Sequence, residues 1–286
     1  MIYETNKNTI WRLIPTRITS RLWGIFISLY LPYIFRYIIY YLWGYIFNAK
    51  LEESEKNILE YKNIQQFFTR KINYKLRPGL SKHNHKKNEL ICPVDGTLIN
   101  ICDLDKNNNL EQIKGIKYSI RDFLGFIPKV RDKNNKIIGC VFYLSPGDYH
   151  RFHSPYKMKM ISRTHFSGQL LPVNNIIVNS IPSLFTINER VCLYGKWKHG
   201  FISYNAVGAT NVGSIVINFD EKLKTNQWFS RSTTKNNYKY VNPKKINKGD
   251  EIGYFKLGST IVLIIEVPKD IKYYKSINSK VKVGDT

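Results

Sequence analysis

From residue 90 onward the chain is written in short runs of β-branched and aromatic residues cut by turn clusters. The runs KIIGCVFYLS (136–145), KMKMISRTHF (157–166), RVCLYGKW (190–197), GFISYNAVG (200–208), GSIVINFD (213–220) and TIVLIIEV (260–267) are all of strand length. Such runs, bounded by Gly, Asn, Asp and Pro, favour strands over helices. Loops such as DKNNK and KTNQ separate them, and one short helix is expected around SIRDFLG (119–125). The expected class is α+β, with a predominantly antiparallel β core of sandwich-like sheets carrying a site on its loops.

The N-terminal part follows a different rule. RLWGIFISLYLPYIFRYIIYYLWGYIF (21–47) is apolar enough to raise a membrane span. Pro32 interrupts it, however, and Arg36 would be costly at bilayer depth. Its tyrosines and tryptophans prefer the headgroup interface, and Arg12, Arg17 and Arg21 suit anionic headgroups. The expectation is two short helices flanking Pro32, membrane-associated and lying in one leaflet. A charged helical connector is expected over 49–65. The division is then a membrane-associating helical region (1–65) and a β-rich catalytic domain (66–286).

Composition sets outer limits. Hydrophobic content of 43% and aromatic content of 14% describe a folded chain. Lys and Arg number 44 against 21 acidic residues, a net charge of +23 that favours an anionic partner. No nucleic-acid-binding pattern accompanies it, so a membrane surface is preferred. Cys92, Cys102, Cys140 and Cys192 show no CxxC pairing and read as reduced residues. His83 and His85 lie in a Lys/Asn-rich loop without acidic or Cys partners, and no metal site is expected.

Three segments carry side chains suited to chemistry. CPVDGTL (92–98) places Asp95 in a turn. YLSPGDYHRFHSPY (143–156) sets His150 and His153 between two prolines, and histidine is the side chain suited to proton exchange near neutral pH. GYFKLGSTIVLI (253–264) puts Ser259 at the start of an apolar run. Asp95, a histidine and Ser259 could form an Asp–His–Ser relay, although the Gly-x-Ser-x-Gly elbow of many hydrolases is missing.

Taken together these segments resemble the phosphatidylserine decarboxylases of the bacterial and mitochondrial type. The resemblance runs through FFTRKINYKLRP (67–78), PVDG (93–96), SPGDYHRFHSP (145–155), NERV (188–191), VGATNVGSI (207–215) and GYFKLGST (253–260), in the family's order. It implies self-cleavage between Gly258 and Ser259 into a large chain (1–258) and a small chain (259–286). Ser259 would attack the Gly258 carbonyl, with His153 as base and Asp95 orienting its ring. Gly258 would admit the attacking oxygen and tolerate a strained backbone. Ser259 would become a covalent pyruvoyl group, whose carbonyl takes the amine of phosphatidylserine and acts as an electron sink. His150 would serve decarboxylation and protonation, giving phosphatidylethanolamine and CO₂.

The same resemblance implies a homodimer of such two-chain units. Attachment would be peripheral, on the cytoplasmic face of an inner or cytoplasmic membrane. The alternatives are a membrane-associated Asp95–His153–Ser259 hydrolase that forms no pyruvoyl, a basic membrane or nucleic-acid binder, and a pyridoxal-phosphate decarboxylase. For the last, Lys256 is the nearby lysine, but no phosphate site accompanies it.

Overall fold

The computed structural model describes residues 15–81, 88–113, 115–211, 214–227, 234–256 and 258–286. His83, His85 and Arg12 lie outside the described residues.

Two helices open the described chain, α1 (Thr16–Ser28) and α2 (Tyr33–Phe47), divided at Pro32 as expected. Arg36 turns inward: its Nε donates to the Leu31 carbonyl at 2.7 Å and its Nη1 to that of Leu59 at 3.0 Å. The charge is thus satisfied by protein oxygen, while Ile25, Phe26, Tyr33, Ile34, Tyr37 and Tyr45 are exposed. No described helix is long and apolar enough to cross a membrane.

The connector departs from expectation. Residues 49–65 do not form one helix but two 3-10 turns, Leu51–Glu53 and Ile58–Glu60, before the short α3 (Ile64–Phe68). Asn57 and Asn63 explain the interruption. Their side-chain carbonyls accept from the Leu59 amide (3.0 Å) and the Gln66 amide (2.8 Å), starting new turns where a continuous helix would need interior hydrogen bonds.

The β region contains β1 (Gly96–Asp103), β2 (Asn109–Ile113), β3 (Ile116–Ser119), helix α4 (Ile120–Leu124), β4 (Asn135–Leu144), β5 (Arg151–His153) and β6 (Met158–Phe166). Helices α5 (Asn175–Val178) and α6 (Leu184–Ile187) follow, then β7 (Arg190–Trp197), β8 (Gly200–Gly208), β9 (Ile215–Ile217), β10 (Lys235–Ile246), β11 (Glu251–Phe255), β12 (Ser259–Pro268) and β13 (Lys280–Val281). Eight strands form one antiparallel sheet in the order β10-β6-β7-β8-β12-β4-β1-β13. The sheet β5-β11-β9 stands apart as a second, smaller one.

The small sheet covers one face of the large one: the Phe152 ring on β5 stacks on Tyr204 of β8, with centroids 5.6 Å apart. On the opposite face α4 is tied to β7, where Arg190 Nε donates to the Phe123 carbonyl at 2.9 Å and the Tyr194 hydroxyl to that of Leu124 at 2.7 Å. A sheet covered on both faces has strands that read as continuous apolar runs. This is why β12 is buried from Ser259 to Val267.

The chain end is tied in as well. β13 pairs with β1, and the Gly284 amide donates to the Cys92 carbonyl at 3.0 Å. All four cysteines are free thiols.

Candidate active site

Ser259 opens β12 at the centre of the large sheet. It pairs with Leu144 of β4 on one side and Gly208 of β8 on the other. Leu144 leads into SPGDYHRFHSP and Gly208 into the ATN turn, so three segments singled out in the sequence meet at one sheet end. Ser259 is 1% exposed, and its hydroxyl has no hydrogen-bond partner among the described residues. Buried hydroxyls are normally satisfied.

His150 is the side chain facing that strand start. Its Nδ1 lies 2.8 Å from the Asp148 carbonyl, which can only accept, so Nδ1 carries the proton and Nε2 the lone pair. Nε2 is buried and unpartnered. It lies 4.0 Å from the point where a Cβ would stand on Gly258. Burial pushes this imidazole down to about pKa 3, and the nearby Arg70 charge pushes the same way. His150 is therefore neutral at pH 7, with its unprotonated nitrogen near Gly258.

His153 is placed differently. Its Nδ1 donates to the Gly249 carbonyl at 2.8 Å, and Nε2 accepts from the Tyr149 hydroxyl at 3.0 Å. Both nitrogens are occupied, and burial lowers the affinity of this ring for a proton.

Nor does Asp95 meet His153. Arg77 grips both oxygens of its carboxylate, at 3.1 and 2.7 Å, and the Val283 amide donates to Oδ1 at 2.7 Å. Arg77 also pairs with Glu53. The expected Asp95–His153 hydrogen bond is therefore not made. A buried carboxylate is better compensated by a bidentate guanidinium than by a neutral imidazole.

Gly96, beside Asp95, has a positional reason: a Cβ there would stand 2.2 Å from the Tyr143 carbonyl oxygen on β4. At Gly258, among the described residues, a Cβ would meet His150 Nε2 at 4.0 Å, an ordinary contact distance.

The structure thus brings together Gly258, Ser259 and His150. It leaves Asp95 and His153 in neighbouring networks of their own. Sequence reasoning missed Arg77 and Tyr149, although both lie inside the segments KLRP and DYHR that it quoted. Among the described residues no cluster of His, Cys, Asp or Glu could hold a metal ion. A separate apolar cavity of about 420 Å³ lies over β1, β4 and β12, lined by Leu98, Cys140, Phe142 and Leu263. Ser259 is not on its wall.

Comparison with known proteins identifies the family. The family model described as phosphatidylserine decarboxylase matches residues 64–286. The chain is 38% identical to the mitochondrial phosphatidylserine decarboxylase proenzyme of Pongo abelii, over 96% of this chain and 72% of that protein. It is 35% identical to the phosphatidylserine decarboxylase proenzyme of Plasmodium falciparum, over 99% and 81% respectively. The corresponding proenzyme of Plasmodium knowlesi is 37% identical over 99% of this chain and 82% of its own. With its matched region reaching from α3 through the paired Ser259 strand to the last residue, the chain belongs to the phosphatidylserine decarboxylase family.

Proposed function

We propose that this protein decarboxylates phosphatidylserine to phosphatidylethanolamine, after cutting itself between Gly258 and Ser259. The observation that carries the reading is the buried, unpartnered Ser259 hydroxyl at the start of β12, with the free Nε2 of His150 beside Gly258. Family membership supplies the reaction, and the relatives' description as proenzymes fits a cut precursor.

We assign the self-cleavage base to His150, whose lone pair is free, in place of His153, whose nitrogens are both engaged. Ser259 Oγ attacks the Gly258 carbonyl carbon while His150 Nε2 takes the hydroxyl proton. The amide C–N bond breaks as that proton passes to the departing nitrogen, and an ester replaces the amide. Elimination from the ester and hydrolysis of the resulting dehydroalanine release Gly258 as a carboxylate and ammonia from residue 259. A pyruvoyl cap remains on the chain 259–286.

The site fits such a group, because Ser259 is buried, unpartnered and fixed between two strands. When formed, the pyruvoyl group supplies the carbonyl that accepts the substrate amine and draws electrons from the breaking bond. His150 would then be the group to supply a proton to the substrate Cα once CO₂ has left. The Phe68 ring, 4.1 Å from the imidazole, keeps water from its face.

The small chain stays bound in this reading, since β12 is paired on both sides and β13 and Val283 are tied to the large chain. The two-chain unit would pair into a homodimer, as the resemblance implies. The region 1–65 serves as the membrane-associating part and 66–286 as the catalytic part. The exposed apolar residues of α1 and α2, with a net charge of +23, suit peripheral attachment in one leaflet of an anionic inner membrane.

The test is incubation of the purified protein with phosphatidylserine vesicles. CO₂ release and phosphatidylethanolamine should appear, and cyanoborohydride should trap the lipid on the chain 259–286. Ester turnover without a trapped adduct would favour the Asp–His–Ser hydrolase instead.

A further inference from the structure

FFTR (67–70) is a segment whose residues each touch either the N-terminal helix pair or the turn bearing His150. Phe67 stacks on Tyr40 of α2 with centroids 4.2 Å apart and rings nearly parallel. Phe68, 1% exposed, packs with Ile27 of α1 and sets its ring edge-on to Trp43 of α2 at 6.2 Å. The centroid of the same Phe68 ring lies 4.1 Å from that of the His150 ring.

Its neighbours hold the backbone around the same imidazole. The Thr69 carbonyl accepts from Arg151 Nε at 2.9 Å, and buried Arg70 donates from Nη2 to the Gly147 carbonyl at 3.2 Å. The helix pair also reaches this turn directly. Trp43 Nε1 donates to the Pro146 carbonyl at 3.2 Å, and a Cβ on Gly147 would stand 2.1 Å from the Phe47 carbonyl oxygen. Glycine at 147 is what lets the end of α2 come that close.

We propose that Phe68 is a positioning residue for His150, and that FFTR makes the inner side of the membrane-facing helix pair a wall of the active site. The helices then do more than attach the enzyme, because the ring that packs between them also fixes the imidazole. This inference rests on the role given to His150 above.

The test is Phe68→Leu, which keeps an apolar side chain of similar volume, assayed after processing in mixed micelles of phosphatidylserine and detergent. A displaced catalytic group costs rate rather than binding, so kcat should fall by roughly tenfold or more with KM within about twofold. The His150 ring-proton resonance should lose the ring-current shift of the Phe68 ring. Arg70→Lys, which shortens the reach to Gly147, should lower kcat in the same way, and Phe68→Met replaces Phe68→Leu should that variant not fold.

Wild-type kcat with an unmoved His150 resonance would overturn the inference, as would a raised KM at unchanged kcat, which would make Phe68 a lipid contact. A processed His150→Ala protein turning over at the wild-type rate would instead remove the site reading on which it rests. An inactive His150→Ala beside a fully active Phe68→Leu would defeat the inference alone.

Discussion

Arg77 holds both carboxylate oxygens of Asp95, 18 residues further along the chain, at 3.1 and 2.7 Å in a buried, bidentate pair. The same Asp95 oxygen that accepts at 3.1 Å also takes the Val283 amide, so this carboxylate joins the PVDG turn to the last residues of the chain. Its geometry is that of a structural clamp, and the first prediction follows from it. In an uncleavable Ser259→Ala background, Arg77→Met should destabilise the protein by about 3–5 kcal/mol, since removing one partner leaves a buried charge uncompensated. Asp95→Ala should cost a similar amount, and urea unfolding measures both. Full stability of Asp95→Ala in that background, together with failure of Asp95→Ala to cleave in a chain that keeps Ser259, would return Asp95 to the chemistry.

His150 gives a pH dependence whose sign is fixed. Its pKa falls from an ordinary 6.5 to about 3 on burial, so between those values the unfolded chain binds a proton that the folded one does not. The stabilisation is fully present above about pH 6.5 and is lost as pH falls toward 3, by up to about 1.4 kcal/mol per pH unit for each such group. His153 is lowered in the same direction by burial. Stability measured from pH 7 to 5 should decline, and His150→Leu in the Ser259→Ala background should decline less steeply. Equal slopes would mean that His150 is not buried as a neutral ring.

Gly258 is open to substitution on steric grounds. Among the described residues beyond its chain neighbours, a methyl group there would meet His150 Nε2, at 4.0 Å. Gly258→Ala should therefore fold with stability within about 0.5 kcal/mol of wild type. Its methyl group would stand against the nitrogen assigned as base, so self-cleavage should slow by roughly tenfold or more. A time course of chain cutting on denaturing gels reads this out. An unchanged rate would place the base elsewhere.

The outer faces of α1 and α2 should govern membrane affinity without governing stability in solution. Phe26 and Ile34 are 57% and 68% exposed. Phe26→Ser with Ile34→Ser should weaken binding to anionic vesicles by at least about tenfold, as burying each such side chain contributes about 1.5–3 kcal/mol. The melting temperature without lipid should stay put. Vesicle flotation that is unaffected would remove these helices from the membrane contact.

Much of this fold was legible because both faces of the main sheet are covered, which writes β7, β8 and β12 as continuous apolar runs whose ends fall within a residue of the structure's. β10 was not legible. It is an edge strand of mostly exposed Lys and Asn with Pro243 inside it, paired with β6 alone among the described strands, and with just Tyr240 and Ile246 buried it carries no apolar pattern to mark it. The connector was misread because a charged composition resembles a solvated helix, whereas Asn57 and Asn63 restart the chain locally.

At the site, Gly258, Ser259 and His150 could be picked out from their segments, but which histidine keeps an unpartnered nitrogen near Gly258 could not. His150 and His153 are three residues apart, the first just ahead of β5 and the second at its end. Only the carbonyls of Asp148 and Gly249 and the Tyr149 hydroxyl decide which ring keeps a free nitrogen. Arg77 escaped for a related reason, since an arginine in a basic chain carries no mark of the carboxylate it will meet.

The most direct test of the account is intact-mass analysis of the purified full-length protein beside Ser259→Ala. The wild type should give two chains meeting at 258/259, the smaller beginning with an amine-free, carbonyl-bearing residue, while Ser259→Ala stays whole. A wild-type chain that remains uncut, yet turns over phosphatidylserine, would contradict it.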